Sequence, residues 1–282
     1  MGGKVAIVAD RIGWEERQLI RTAPDLGLHI DWVNDESLCL GHPDAPSITA
    51  YDTLLIRSRS YTRGGLLAAA AQASGIPTLN TTHAIQSCEN KLVLRALLRT
   101  AGIPVPDFRL VVSRKDFEKA LDELPLPVVL KPVFGGMGKR VTLLRTRDTA
   151  HSVYDYVEDL GHAFEQACLV EPYLGGSSVR CLVVGEELVA AARFESGGTD
   201  WRNNAALGNR NEAVALDHEV RDIVGRVVDL LGAGIYGVDL FETPDGHLVN
   251  EVNHAPGFRA VASATGADIP AAIGRHVREI LG

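Results

Sequence analysis

Apolar residues recur along this chain at two spacings, and the alternation between them outlines the fold. An unbroken apolar run over residues 5–9 predicts a strand that ends at Asp10. Leu19, Ile20, Ala23 and Leu26 carry helical spacing, which predicts a helix over 15–26 with Gly27 as its stop. Short apolar runs at 30–33, 53–56 and 76–79 predict further strands, and the alanine-rich stretch 64–74 a second helix. Strand alternating with helix implies a small parallel sheet with helices on its faces. Residues 82–102 then read as one helix, with Leu92, Leu94, Leu97 and Leu98 at its apolar positions, ended by Gly102-Ile-Pro-Val-Pro106. Beyond it the pattern predicts strands near 108–112, 127–132, 140–144 and 168–171, with helices over 115–124 and 149–158. After a Gly-Gly-Ser-Ser loop at 175–178 come strands 180–184 and 188–194, a polar loop 195–211, a helix 217–231, strands 235–242 and 247–253, and a last helix 268–281.

Composition narrows the function classes. The chain has 282 residues, 46% hydrophobic and 23% charged, which suggests about two domains and excludes wholesale disorder. Its 28 lysines and arginines face 36 carboxylates, so the net charge of −8 argues against a general nucleic-acid binder. No stretch approaches the ~20 apolar residues of a membrane helix, and the N-terminus reads as a first strand rather than a signal peptide. Cys39, Cys88, Cys168 and Cys181 are scattered, without metal-ligand spacing, which points to a reducing cytoplasm.

Two segments carry chemistry. In the first, Lys131-Pro precedes Gly135, Gly136 and Gly138, with Lys139 beside them. Such glycines let backbone N–H groups approach an anion, and phosphate suits them. The following residues, 141–144, read as a strand, so this is a glycine hairpin and not the helix-opening Walker loop; the alternative is a surface hairpin with solvated charges. In the second, Pro244-Asp245-Gly246 fits a three-residue hairpin loop that pairs Thr243 with His247 and therefore Asp239 with Glu251, Asn253 lying on the same face. Two carboxylates side by side repel unless a positive group sits between them, and such oxygen ligands suit Mg²⁺. The alternative is a solvated face, and a one-residue slip would separate the pair.

Taken in order, Lys91, Lys131-Pro, the glycine loop, Glu171, Arg180, Asp239 and Asn250-Glu-Val-Asn253 resemble an ATP-grasp ligase of the RimK-like branch, and within it the LysX-type ligases of lysine biosynthesis. Further matches are Asp10-Arg-Ile12, Glu16-Arg17, Arg57-x-x-Ser60-x-x-Arg63-Gly64, Gly75-Ile-Pro77 and Thr265-Gly-x-Asp-Ile-Pro270. The resemblance implies an α/β (α+β) ATP-grasp fold in three parts: an N-terminal α/β domain over 1–88, a central lid over 89–175 with the phosphate loop, and a C-terminal domain over 176–282 with the metal site. By the same resemblance Lys91, Lys131, Gly135, Gly136, Met137 and Gly138 contact ATP phosphates. The hinge Glu171-Pro172-Tyr173-Leu174 holds adenine. Asp239, Glu251 and Asn253 hold magnesium, expected as two ions replaceable by Mn²⁺. Arg180 and Lys131 assist the chemistry, and Arg57, Ser60, Arg63, Arg193, Asn204, His254 and Arg259 meet the substrates. Ser177-Ser-Val179 stands where relatives often carry an acidic residue, and Leu207 and Asn209 replace an expected Arg and Gly.

The function implied is an ATP-dependent carboxylate–amine ligase. It activates a glutamate carboxylate, by expectation the γ one, as an acyl phosphate and condenses it with an amino acid to give a γ-glutamyl amide, ADP and phosphate. The lack of a Ser/His/Asp or Cys/His constellation agrees, because no covalent enzyme nucleophile is needed. One alternative is a LysX-type ligase acting on the C-terminal glutamate of a small acidic carrier protein; another is a non-catalytic nucleotide-binding protein that keeps the fold. Expected partners are ATP and small amino acids, with neither nucleic acid nor membrane, in a cytoplasmic homo-oligomer, dimer or tetramer.

Overall fold

The computed structural model describes residues 3–38, 48–60, 62–135, 140–159, 166–195, 201 and 210–282. Three sheets organise them. In the first, β1 (Lys4–Ala9), β2 (His29–Asn34), β3 (Thr53–Ile56) and β4 (Thr78–Leu79) run parallel in the order β2-β1-β3-β4. The run of β1 is buried on both faces, as its continuous apolar sequence requires. Val5, Ile7 and Ala9 pack with α1 (Trp14–Thr22), and Ala6 and Val8 with α2 (Arg63–Ala73).

The central sheet is antiparallel, in the order β5-β8-β6-β7: β5 (Arg109–Val111), β6 (Val128–Pro132), β7 (Thr142–Leu144) and β8 (Cys168–Pro172). Two more helices, α5 (Arg114–Glu123) and α6 (Arg147–Asp159), cover one face, where Phe117 stacks on Tyr154 at 4.2 Å. Val128 and Leu130 enter that core, so Val129 and Lys131 face the other way.

The third sheet holds β9 (Ser178–Gly185), β10 (Glu187–Glu195), β11 (Arg210–Ala213), β12 (Gly234–Thr243) and β13 (Gly246–Asn253), in the order β11-β10-β9-β12-β13. One face packs against α3 (Thr82–Glu89), α4 (Lys91–Thr100) and α7 (His218–Leu231). The opposite face packs against α8 (Arg259–Thr265) and α9 (Ile269–Leu281), and α9 also covers the first sheet. Asn80 stitches the two sheets: its amide donates to the Ile235 and His254 carbonyls, both at 2.8 Å, and its oxygen accepts from the Ile235 amide at 2.6 Å.

Four elements differ from the sequence expectation. The helix expected over 82–102 is two helices, broken at Asn90, which takes extended geometry (φ −105°, ψ 101°) and bridges Phe134. Its side chain caps α4 by accepting from the Val93 amide, so the break is also a helix start. Strand β11 occupies the end of the expected polar loop, its partner being the regular β10. Helix α8 forms where no element was expected, its seven residues stopped by left-handed Gly266. Finally, the β12–β13 hairpin pairs Thr243 with Gly246, not with His247, which shifts the register by one residue; a bulge between Leu240 and Asp239 shifts it back. Asp239 therefore does pair with Glu251, by a route the loop alone does not give.

Candidate active site

The bulge decides what the hairpin presents. Val249 and Val252 both lie in the hydrophobic core, three residues apart, so Asn250 and Glu251 between them both face away from it. Next door, β9 pairs Arg180 with Asp239. Arg180, Asp239 and Glu251 thus form a row across three adjacent strands. Arg180 grips Asp239 bidentately, both hydrogen bonds being 2.6 Å, and supplies the positive charge that two neighbouring carboxylates need. Burial works against that guanidinium, but Asp239 outweighs it and raises the Arg180 pKa above its ordinary value. Asn253 donates to Asp239 Oδ2, one of the two oxygens that Arg180 holds, at 3.3 Å.

A second network faces this row from the central sheet. Lys131 on β6 donates to Glu171 on β8 at 2.6 Å and to Asn250 on β13 at 3.0 Å. Arg95 on α4 donates to the other Glu171 oxygen at 2.9 Å, to Asn250 at 3.4 Å and to the Val249 carbonyl. All three charged side chains are buried. Burial depresses the Lys131 pKa against the pull of Glu171, while Arg95 and Lys131 together hold the Glu171 carboxyl below its ordinary range in spite of burial. Lys91 opens α4 and donates to the Gly135 carbonyl; its own amide bonds the Val133 carbonyl at 3.0 Å.

These groups line one cleft of about 720 Å³ between the sheets, a size suited to a nucleotide and a small substrate. Of the residues expected to meet a ligand or metal, it brings together Lys91, Lys131, Gly135, Glu171, Pro172, Tyr173, Leu174, Arg57, Arg180, Asp239, Glu251, Asn253, His254 and Arg259. Three do not line it. Arg193 is held bidentately by Glu242 at 2.7 and 2.8 Å, Arg63 pairs with Asp35 and Glu36, and Ser60 accepts from the Arg63 amide. Gly136, Met137, Gly138 and Asn204 lie outside the described residues. Arg57 lines the cleft but is committed internally, to Glu16 at 2.6 Å and the Pro256 carbonyl at 3.0 Å. Sequence reasoning missed Arg95, Glu89 and Arg59 among the lining or supporting groups, and placed Asn250 in a motif without giving it a role. For Arg95 a signal existed: Lys91, Leu94, Arg95 and Leu98 share one helical face, so a charge sat among buried positions.

A RimK-like ATP-grasp domain matches residues 88–277, and a LysX preATP-grasp domain matches residues 5–87. The chain belongs to the RimK-like ATP-grasp family. It is therefore an ATP-dependent ligase that forms C–N bonds, with the ATP-grasp fold. Among its relatives, the glutamate–LysW ligase ArgX of Sulfurisphaera tokodaii is 26% identical, the alignment covering 98% of each chain. A probable alpha-L-glutamate ligase of Alkalilimnicola ehrlichii is 33% identical over 80% of this chain and 71% of its own. The crystal structure of a RimK domain ATP-grasp protein from Sphaerobacter thermophilus superposes with a TM-score of 0.82 at 29% identity, covering 97% of this chain and 98% of the other. Among the described residues no helix is long and apolar enough to cross a membrane.

Proposed function

We propose that this ATP-grasp ligase activates a glutamate γ-carboxylate as an acyl phosphate and joins it to the amino group of an amino acid, releasing ADP and phosphate. The observation that carries the reading is the row Arg180–Asp239–Glu251 facing Lys131 and Lys91 across one cleft. Lys91, Lys131 and the backbone at Gly135 bind the ATP phosphates. The hinge Glu171–Leu174 takes the base. Tyr173's amide already donates to the Pro127 carbonyl at 3.0 Å, so a base edge reading this hinge uses Leu174's. Tyr173 and Trp201 meet edge to face at 5.7 Å on the same wall.

Two carboxylates and an amide oxygen are the donor set a hard divalent cation requires, so Asp239, Glu251 and Asn253 fit Mg²⁺, as one or two ions, or Mn²⁺ in its place. Bound there, the metal neutralises charge on the transferring phosphoryl group. Arg180 stays within reach of the same oxygens and stabilises the charge that develops as the acyl phosphate forms. Arg259, with its guanidinium 5.7 Å from the Trp14 ring, and Arg59 line the far end and suit substrate carboxylates. A second reading places the donor glutamate at the C-terminus of a small carrier protein. It is favoured by the end-to-end alignment with a glutamate–LysW ligase.

The test is a screen of the amino acids with ATP, Mg²⁺ and L-glutamate, reading nucleotide products and product mass. ADP, phosphate and a γ-glutamyl amide in equal amounts are expected. Stoichiometric AMP and pyrophosphate overturn the reading.

A further inference from the structure

The break at Asn90 has a consequence for the cleft. On an unbroken helix Glu89 and Lys91, two residues apart, would point to different sides. Because α3 ends at Glu89 and α4 starts at Lys91, both side chains line the same cleft. Lys91 serves the phosphate end. Glu89 lies elsewhere: its side chain is 8% exposed and its carboxylate faces His254 Nε2 at 3.4 Å.

Of the other carboxylates that line the cleft, half-buried Glu15 accepts, among the described residues, only from the Arg259 backbone amide at 3.4 Å, and the more deeply placed ones are committed. Glu16 is taken by Arg57, Glu171 by Arg95 and Lys131, and Asp239 by Arg180. Glu251 belongs to the cation site. Among the described residues, no lysine or arginine neutralises Glu89. The His254 ring next to it is 11% exposed, with Nδ1 buried and without a hydrogen-bond partner, and the Asn80 bond to its carbonyl fixes the backbone that carries it. The position is close to the chemistry. His254 follows Asn253 in the chain, and Cys88, whose thiol pKa is pushed up by burial, also feels the charges of both Glu251 and Glu89. A buried carboxylate with a histidine ring but no lysine or arginine beside it, next to the proposed cation site, is suited to a cationic ligand.

We propose that Glu89, oriented by His254, is the subsite that binds the amine substrate as its ammonium ion, which sheds a proton to water before its nitrogen attacks the acyl phosphate and phosphate leaves, and so selects charged α-amino acids over neutral nucleophiles. The proposal rests on the ligase reading above. The experiment gives the full chain ATP, Mg²⁺ and L-glutamate, with L-glutamate itself as the amine or with added hydroxylamine, which is unprotonated at neutral pH. Hydroxamate reports the acyl phosphate, and glutamyl-glutamate reports use of the ammonium substrate. In Glu89→Gln the ratio of amide to hydroxamate is expected to fall roughly tenfold or more. Glu89→Asp, which keeps the charge, is expected to hold most of the ratio. A parallel fall of both products in Glu89→Gln, or equal losses in the Gln and Asp variants, overturns the ammonium subsite and leaves Glu89 a structural residue. Absence of hydroxamate from the unaltered chain overturns the ligase reading itself, and this proposal with it.

Discussion

Two buried glutamate–arginine pairs stitch this molecule together, and they do different things with the same chemistry. Arg57 and Glu16 join the end of β3, the start of α1 and the loop before α8; their side chains are 6% and 3% exposed. Arg95 and Glu171 join α4, β8 and β13, with 3% and 2% exposed. In each, the arginine also donates to a backbone carbonyl of the C-terminal region, Pro256 or Val249. The difference lies in the second carboxylate oxygen. Glu16 spends its own on the backbone amide of Gly13 at 2.7 Å, so the pair closes on the scaffold. Glu171 spends its own on Lys131 Nζ at 2.6 Å, so the pair closes on a cation that lines the cleft. Burial alone therefore does not tell a structural ion pair from one that aims a reactive group; the partner of the remaining oxygen does.

The largest expected effect follows from removing the pair that holds Lys131. Arg95→Met keeps helix propensity but leaves Glu171 with one cation and strips the Val249 carbonyl of its donor. Breaking a buried pair in this way costs about 3–5 kcal/mol, measurable by urea unfolding. ATP affinity, read by calorimetry, should fall in the same variant, because Lys131 and Asn250 lose their common anchor. Arg57→Met should cost similar stability with a smaller change in ATP affinity. Equal losses of ATP binding in the two variants would break the comparison.

A smaller effect separates the pairs by pH. Arg57 outweighs burial and holds the Glu16 carboxyl below its ordinary value of 4.5. A depressed carboxyl contributes stability above the unfolded pKa and loses it as pH falls through the folded one. Thermal unfolding of the unaltered chain should therefore weaken steeply below pH ~4.5, and Glu16→Gln should flatten part of that slope. The part that stays belongs to Glu171 and the other paired carboxylates. An identical acid limb in both proteins would remove Glu16 from the account.

How much of this was legible beforehand depends on whether a residue's destination is set by strand period or by contacts far along the chain. Alternation and turn chemistry carry Asp239 and Glu251 to one face. Their pairing was expected through a three-residue loop, yet it arises from a tighter loop and a bulge whose effects cancel. The bulged residue, Asn250, is the part the pattern could not supply, because nothing local distinguishes it from its neighbours. Asn90 is similar: an asparagine inside a leucine-rich helical pattern is tolerated locally, and only the bridge to Phe134 explains why the helix stops there. Strand β11 needs β10 to exist at all. Helix α8 is short and gains its place from Phe258 and Val261 in a core shared with the first sheet.

The smallest expected effect concerns a third arginine–carboxylate contact, outside the cleft. Arg63 is 39% exposed and meets Asp35 at 3.3 Å and Glu36 at 3.1 Å, while Ser58 also donates to Asp35. The sequence motif grouped Arg63 with Arg57 as substrate contacts, but Arg57 lines the cleft and Arg63 does not. Its contact with exposed Glu36 is a surface pair worth under about 1 kcal/mol. Asp35 keeps its serine donor when the guanidinium is removed. Arg63→Ala is thus expected to leave the KM for the amino-acid substrate near its original value; its cost falls on stability, because the Asp35 side chain, 0% exposed, loses the guanidinium beside it. Arg259→Ala, at a position that does line the cleft, should raise that KM by roughly tenfold through loss of a charged hydrogen bond. Steady-state kinetics with each substrate varied in turn measures both. A tenfold rise in Arg63→Ala alone would extend the substrate wall to the top of the first sheet, and exposure of a pair would no longer mark it as remote from the chemistry.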